Sequence, residues 1–177
     1  MTGHLFSCIM VPARPAPPNP RIESVQRMKP HYTDINSFLC DISAEPPLQR
    51  MRQYPHHGRI TTYDHCVHVV RFSFALAGAL RLHPDPDTLL KGAMLHDFYL
   101  YDWHAADGGT HRLHGLRHPH TAAANAQRYY AVGSSVTHVI ECHMWPLTIT
   151  RVPRTTEAWV VCLADKCVSA REILLGR

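Results

Sequence analysis

The stretch KGAMLHDFYLYDW, residues 91–103, places a histidine and an aspartate side by side inside an otherwise apolar run. An ionised carboxylate among apolar side chains is costly unless it is paired, hydrogen-bonded or bound to a metal. His96 and Asp97 therefore need polar partners from elsewhere in the chain.

Three more isolated side chains of the kinds that bind metals lie in comparable surroundings. His65 precedes a largely apolar run at 67–70, His143 follows two β-branched residues, and Asp165 ends the apolar run at 158–164. A histidine, a His-Asp pair and a distant aspartate, each on its own apolar segment, can build one metal site from several helices.

The apolar residues recur at helical spacing, and no segment shows the sustained alternation of a strand. We therefore predict an all-α bundle of five or so helices that present ligands to a central cavity. A further short helix is expected on the outside of the core at 33–39. The main predicted helices span residues 63–82, 87–101, 119–131, 134–143 and 155–174.

Two histidine-rich segments are expected to lie outside regular helix. His56 and His57 are interpreted as solvated loop residues, because adjacent histidines beside Gly58 are typical of a loop. Residues 114–118 are not expected to be helical throughout, since a glycine and a following proline interrupt them. The glycine-containing segment 105–111 is interpreted either as a mobile lid beside the site or as an ordinary connection.

The length of 177 residues and the hydrophobic content of 45% predict one domain with a sizeable core. Residues 1–30 hold six of the 14 prolines, so residues 1–29 are predicted to be a disordered extension and 30–177 the domain. A proline-rich arm that docks on the domain is the alternative. Met28 is a candidate for the natural start.

The net charge of +4 is mild and includes no basic cluster of the nucleic-acid-binding type. The six cysteines show no CxxC pair and no disulfide-scaffold spacing, which is typical of a reduced cytoplasmic protein. No apolar run is long enough to cross a membrane, and no signal peptide is expected. Fifteen histidines are an unusually high number, concentrated between His96 and His143.

Five stretches follow one another along the chain, namely YDHC at 63–66, LHD at 95–97, HGLRHP at 114–119, ECHMWPL at 141–147 and LADK at 163–166. In this order they resemble the HD superfamily of metal-dependent phosphohydrolases. The resemblance runs from about Thr62 to the C-terminus. It is to members with additional histidines between the His-Asp pair and the last aspartate, and in particular to small stand-alone bacterial HD proteins with YDWH and HMWPL signatures.

The resemblance implies two divalent metal ions, of Mn, Fe, Co, Ni or Zn, which mixed imidazole and carboxylate ligands suit. The first metal would be bound by His65, His96, Asp97 and Asp165. The second would be bound by His118 and His143, with Asp97 shared between the two ions.

The reaction implied is hydrolysis of a small phosphate ester, such as a nucleotide, by a metal-activated water. Asp97 or Asp165 would orient the water, and His114 is a candidate for a second-shell or proton-transfer role or is a plain loop histidine. The phosphate is expected to meet Lys166, Arg117 or Arg112. The sequence leaves homo-oligomerisation and the substrate open.

At two places the sequence departs from better-defined relatives, so the substrates of those relatives cannot be assigned to this chain. Phe98 and Tyr99 follow the His-Asp pair where cyclic-dinucleotide phosphodiesterases have glycine and lysine, and the chain has no GYP tripeptide. Thr61 stands where mammalian-type cyclic nucleotide phosphodiesterases place a proton-donating histidine. A di-iron oxygenase of the same fold and a non-catalytic metal-binding or nucleotide-binding regulatory module remain alternatives to the hydrolase.

Overall fold

The structure is a computed structural model that describes residues 28, 31–104 and 113–175. The predicted proline-rich extension, apart from Met28, and the segment at 105–111 lie outside the described residues. Within these ranges, none of the helices is long and apolar enough to cross a membrane.

The described residues form seven α-helices, one 3₁₀ helix and one small hairpin, which confirms the all-α prediction. The order is α1 (Ile35–Ile42), α2 (Pro46–Gln49), the 3₁₀ helix (Arg50–Gln53), β1 (Pro55–His57), β2 (Ile60–Thr61), α3 (Thr62–Ala79), α4 (Pro86–Leu95), α5 (His114–Tyr130), α6 (Ser134–Cys142) and α7 (Thr156–Leu175).

Short polar side chains fix where the helices begin. Asp34 caps α1, Thr61 caps α3 and Asp85 caps α4, and each accepts a hydrogen bond from the backbone N–H three residues later. Such caps satisfy one of the amide groups that a helix start leaves without an intrahelical partner. Because Thr61 ends the turn into α3, it also fixes the position of His65 one turn later.

Helix α4 is the centre of the bundle and contacts α3, α5, α6 and α7. Its residues from Leu89 to Leu95 are buried without a polar stripe, as expected for a helix enclosed by others. Gly92 allows α6 to approach closely, because a Cβ at this position would lie 2.6 Å from Cγ1 of Val139. His96 and Asp97 follow directly, so the pair lies in the interior.

Two helix boundaries differ from the sequence-based prediction by five or more residues. Helix α4 ends at Leu95 instead of residue 101, and His96 is its C-cap with helical backbone angles. Helix α5 begins at His114, so the prediction of irregular backbone at 114–118 is wrong. Pro119 lies in the second turn of α5, where its missing N–H removes only the bond to a carbonyl near the helix start.

The expectation that residues 56 and 57 form a solvated loop is also wrong. β1 and β2 form an antiparallel hairpin that turns at Gly58, whose φ of 59° suits glycine. The hairpin contacts α3, and β1 also contacts α7, so it covers one side of the bundle interior. His56 is consequently buried, and His57 is half-buried.

Candidate metal centre

The six predicted ligands come from five helical segments and meet in the interior. His65 lies in the first turn of α3, the His-Asp pair ends α4, and Asp165 lies in the middle of α7. The other two come from α5 and from the end of α6. All six are buried, with at most 7% of any residue exposed: His65, His96, Asp97, His118, His143 and Asp165.

Asp97 lies between two groups of histidines. Its Oδ1 is 3.1 Å from Nε2 of His118 and 3.6 Å from Nε2 of His143. Its Oδ2 faces the other way and is 3.6 Å from Nε2 of His96. On that side Oδ1 of Asp165 is 3.3 Å from Nε2 of His65 and 3.7 Å from Nε2 of His96. The carboxylate of Asp97 thus faces both groups.

Hydrogen bonds at Nδ1 determine the tautomers of the histidines. Nδ1 of His96, His118 and His143 lies 2.7, 3.0 and 2.7 Å from a carbonyl oxygen of its own helical turn. A carbonyl only accepts, so each Nδ1 carries the proton and donates it. In the neutral imidazole, each Nε2 then presents a lone pair to the site.

These lone pairs face one another and face carboxylates, which is the arrangement that a cation requires. Nε2 of His118 is 2.8 Å from Nε2 of His143. Nε2 of His96 and Oδ1 of Asp97 are buried and have no hydrogen-bond partner within the described part of the chain. Buried polar atoms without partners are rare in folded proteins. The residues present therefore fit a metal centre.

The protonation states of His143 and Asp165 agree with this interpretation, whereas at His65 and His96 burial is outweighed by nearby carboxylates that raise the pKa, so a metal must displace protons there. Burial lowers the pKa of His143 to about 3, and the charges of His118 and His96 act in the same direction. Burial favours the neutral form of Asp165, but hydrogen bonds from His65 and His96 outweigh it and hold the pKa of the carboxyl well below its usual range. Neutral imidazole and ionised carboxylate are the forms that bind metals.

A buried carboxylate that the sequence reasoning missed supports His65. Oε2 of Glu172 is 2.9 Å from Nδ1 of His65, and its Oε1 is 2.8 Å from Nδ1 of His68. The carboxylate therefore accepts the Nδ1 proton of His65 and leaves Nε2 for the site. The signal was available, since Glu172 lies seven residues after Asp165 and hence on the same face of α7.

His56 is the second residue that the sequence reasoning missed. Its Nε2 is 3.0 Å from Oδ2 of Asp97, and its ring stacks on that of His65 with the centroids 3.8 Å apart. Burial lowers the pKa of His56 to about 3, so the imidazole is neutral near neutral pH. No sequence signal marks this position, because the hairpin reaches the site only through tertiary folding.

Among the described residues, three groups of buried side chains could each hold a metal ion, because the ligand atoms within each group lie within 4.8 Å of one another. They are His65, His96 and Asp165; His96, Asp97 and His143; and His56, His65 and Glu172. The first group consists of residues predicted for the first ion, and the second combines His96 and Asp97 with His143, which was predicted for the second ion. The third adds the two residues that the sequence reasoning did not find.

A cavity of about 720 Å³ opens onto these residues. Its wall combines the polar centre with apolar side chains, among them Trp103, Met144 and Ile173. A cavity of this size accommodates a small molecule. Carboxylates and imidazoles at its base, with apolar walls above, suit a ligand that has one polar group and a less polar body.

Of the residues predicted to bind phosphate or to transfer a proton, two line the cavity and one of the described residues does not. Lys166 and His114 line the cavity. Nζ of Lys166 donates to the carbonyl oxygens of His143 and Cys162, at 2.9 and 3.2 Å. Arg117 is exposed on α5 and is not among the cavity residues. Arg112 lies outside the described residues.

The comparison with protein families gives a match that covers the segment that carries the site. The family model of the HD domain matches residues 62–170, well over half of the chain. This chain belongs to the HD-domain family. No curated protein and no solved structure shows a significant match to it.

Membership connects the buried cluster to a known class of chemistry. The HD domain is an all-α domain of the metal-dependent phosphohydrolase superfamily, and the histidine and acid groups are compatible with metal binding. The matched segment includes all six predicted ligands. His56 precedes it and Glu172 follows it.

Proposed function

We propose that this HD-domain protein hydrolyses a small phosphate ester with a metal-activated water at a binuclear site. The observation that carries the proposal is the position of Asp97, whose two oxygens face separate groups of histidine lone pairs. A single shared carboxylate between two groups of ligands is suited to two adjacent ions.

In this proposal, His65, His96, Asp97 and Asp165 bind the first ion. His118 and His143 bind the second and share Asp97. The convergence of the Nε2 atoms supports this division, because His65 and His96 lie near Asp165 whereas the other two histidines lie near each other. Mixed nitrogen and oxygen ligands suit Mn, Fe, Co, Ni or Zn.

When bound, the metal ions supply Lewis-acid activation of water and neutralise charge on the phosphoryl oxygens. The protein supplies orientation and a shaped cavity. Asp97 and Asp165 remain ionised, and one of them orients the attacking water, while Trp103 and Met144 form part of the apolar wall of the cavity. The Lys166 ammonium fixes the backbone of His143 and adds positive charge beside the phosphate.

The proposed role of His114 is proton transfer or second-shell support. Its Nδ1 lies 2.9 Å from the hydroxyl of Tyr101, and its ring stacks on that of His118 at 4.5 Å. The imidazole thus connects the metal-binding histidine with a phenol. Either a relay or a support for the orientation of His118 follows from these contacts.

Metal analysis paired with hydrolysis assays tests the proposal. Protein purified without added metal is analysed for its metal content and assayed on a phosphomonoester and a phosphodiester with Mn, Fe, Ni, Co and Zn. About two metals per chain with hydrolysis would support the binuclear hydrolase. Two irons without hydrolysis would favour oxygen chemistry, metal without turnover would favour a regulatory module, and absence of metal binding would contradict the proposal.

Helix α5 provides a matched control pair for this experiment. His118→Gln removes a proposed ligand, whereas His120→Gln changes an exposed histidine two residues away. We expect the first variant to lose metal and hydrolysis and the second to retain both. Equal behaviour of the two variants would contradict the assignment of the second ion.

A further inference from the structure

Hydrolysis of a phosphate ester requires a proton for the leaving oxygen whenever that oxygen is strongly basic. The proposed metal ligands cannot supply it, since they bind through ionised oxygens or nitrogen lone pairs. The remaining titratable side chains on the described cavity wall are His56, His57, His114 and Lys166.

Three of these four groups are engaged by other contacts. Nε2 of His56 is 3.0 Å from Asp97. Nδ1 of His114 is paired with the hydroxyl of Tyr101, and its ring stacks on Trp103 at 5.1 Å with an interplanar angle of 9°. Lys166 has three donor hydrogens and three contacts, namely two carbonyl oxygens and Sγ of Cys162 at 3.3 Å.

His57 differs from the other three because its imidazole is available. Neither of its ring nitrogens has a hydrogen-bond partner among the residues that the structure describes. It is half-buried at the end of β1 and lines the cavity together with Asp97 and His143. Its ring lies edge-on to that of Trp103, with the ring centroids 6.5 Å apart. A substrate in the cavity would meet this imidazole.

The hairpin holds His57 beside the metal centre without using its side chain. The neighbouring His56 contacts Asp97 and stacks on His65, and its ring lies 4.2 Å from that of His57. The turn at Gly58 then directs the chain back to α3. The backbone is thereby fixed on the side of the site that Asp97 Oδ2 faces.

We propose that His57 is the general acid of this hydrolase, an assignment that rests on the proposed function. As the water oxygen bonds to phosphorus and the ester P–O bond breaks, the imidazolium of His57 gives its proton to the leaving oxygen. The products are an alcohol and phosphate. The proton lost by the attacking water restores the imidazolium by way of solvent, so that no other reactant is consumed.

The surroundings of His57 lower its pKa overall, so the protonated form depends on the charge of a bound substrate. Burial lowers the pKa of His57, the charge of His65 acts in the same direction, and Glu172, Asp97 and Asp165 oppose both. The adjacent His56 is neutral near neutral pH and adds no positive charge. A phosphate dianion in the cavity favours the imidazolium. The proton is therefore bound most firmly when substrate is present.

The test is a comparison of leaving groups. His57→Gln and wild-type protein, both loaded with metal, are assayed on p-nitrophenyl phosphate, whose leaving group is weakly basic, and on an alkyl phosphate. We expect the substitution to lower kcat for the alkyl ester about 100-fold or more and for the nitrophenyl ester less than about tenfold. The basic limb of the pH profile for the alkyl ester should disappear, while metal content stays unchanged.

Other outcomes would overturn the assignment. Equal losses on both esters, no loss on either, or loss of metal would mean that His57 acts in structure or binding. A selective loss on the alkyl ester in His114→Gln, and not in His57→Gln, would assign the proton to His114. If metal-loaded wild-type protein and metal-loaded His120→Gln both hydrolyse neither ester, the proposed function fails. This assignment then fails with it.

Discussion

Glu172→Gln isolates the contribution of the carboxylate behind His65. Glu172 is 4% exposed, and its carboxylate is the partner of His65 Nδ1 at 2.9 Å. The substitution keeps the shape of the side chain and one acceptor oxygen, but it removes the negative charge. His65 then retains its orientation and loses the charge-assisted bond that makes Nε2 a stronger ligand.

The expected effect is a loss of metal affinity of about 10-fold to 100-fold, the usual cost of changing a partner of a metal-binding histidine. This range corresponds to about 1.4 to 2.8 kcal/mol at tenfold per 1.4 kcal/mol. Its lower end agrees with the difference of about 1 to 1.5 kcal/mol between a hydrogen bond to a charged group, about 1.5 to 3 kcal/mol, and a neutral one, about 0.5 to 1.5 kcal/mol.

The assay is competition between the metal-free protein and a chelator of known affinity, followed by metal analysis. Glu157→Gln is the matched control, because Glu157 lies on the same helix and accepts a hydrogen bond from the backbone of Asp85 at 2.8 Å, far along the helix from the site. His68→Gln tests the other partner of Glu172. The side chain of His68 is 48% exposed. An affinity of Glu172→Gln within twofold of wild type, with the controls unchanged, would refute the reasoning.

Three further predictions concern the bridge, the core and pH. Alanine at Asp97 should reduce the number of metals per chain more severely than alanine at His118, because Asp97 faces both groups; equal losses would contradict the bridge. Gly92→Ala should destabilise the protein to denaturant by about 1 to 3 kcal/mol, because its methyl would lie 2.6 Å from Cγ1 of Val139, and Val139→Ala should restore part of the loss. For His65, burial lowers the pKa, but hydrogen bonds with carboxylates outweigh it and raise the pKa above 6.5. Protons therefore compete with metal, and the measured metal affinity should fall as pH decreases, beginning above pH 6.5. A metal affinity independent of pH would contradict this.

The sequence predicts the arrangement of the bundle because a few polar residues lie in segments whose apolar pattern requires burial. Asp97 and Asp165 lie where apolar periodicity demands an interior, so each had to be satisfied by partners from other helices. The structure brings both into the interior beside His65 and His96. That six residues from distant segments converge follows from the order of the helices and the apolar surfaces that they bury.

The helix boundaries were harder to predict because local propensity and tertiary packing favour different endings. Pro119 and Gly115 argued against a helix from residue 114, yet α5 begins there and stacks His114 on His118 one turn later. The apolar residues after Asp97 argued for a longer α4, but the chain leaves the helix at His96. Leaving the helix at this point lets the two side chains face different partners.

The hairpin shows what a reading of local patterns cannot provide. His56 and His57 are neighbours in β1, whose pairing with β2 is irregular, and their rings lie 4.2 Å apart between centroids. The first contacts Asp97, and the second lines the cavity wall without a partner among the described residues. Their roles are set by the folding of β1 against α3 and α7 and not by their composition. Together with Glu172 beyond the matched segment, His56 adds polar contacts around the six predicted ligands, all of which lie within that segment. We therefore expect variation between relatives in this outer layer to change metal affinity and leaving-group preference while the six predicted ligands stay in place.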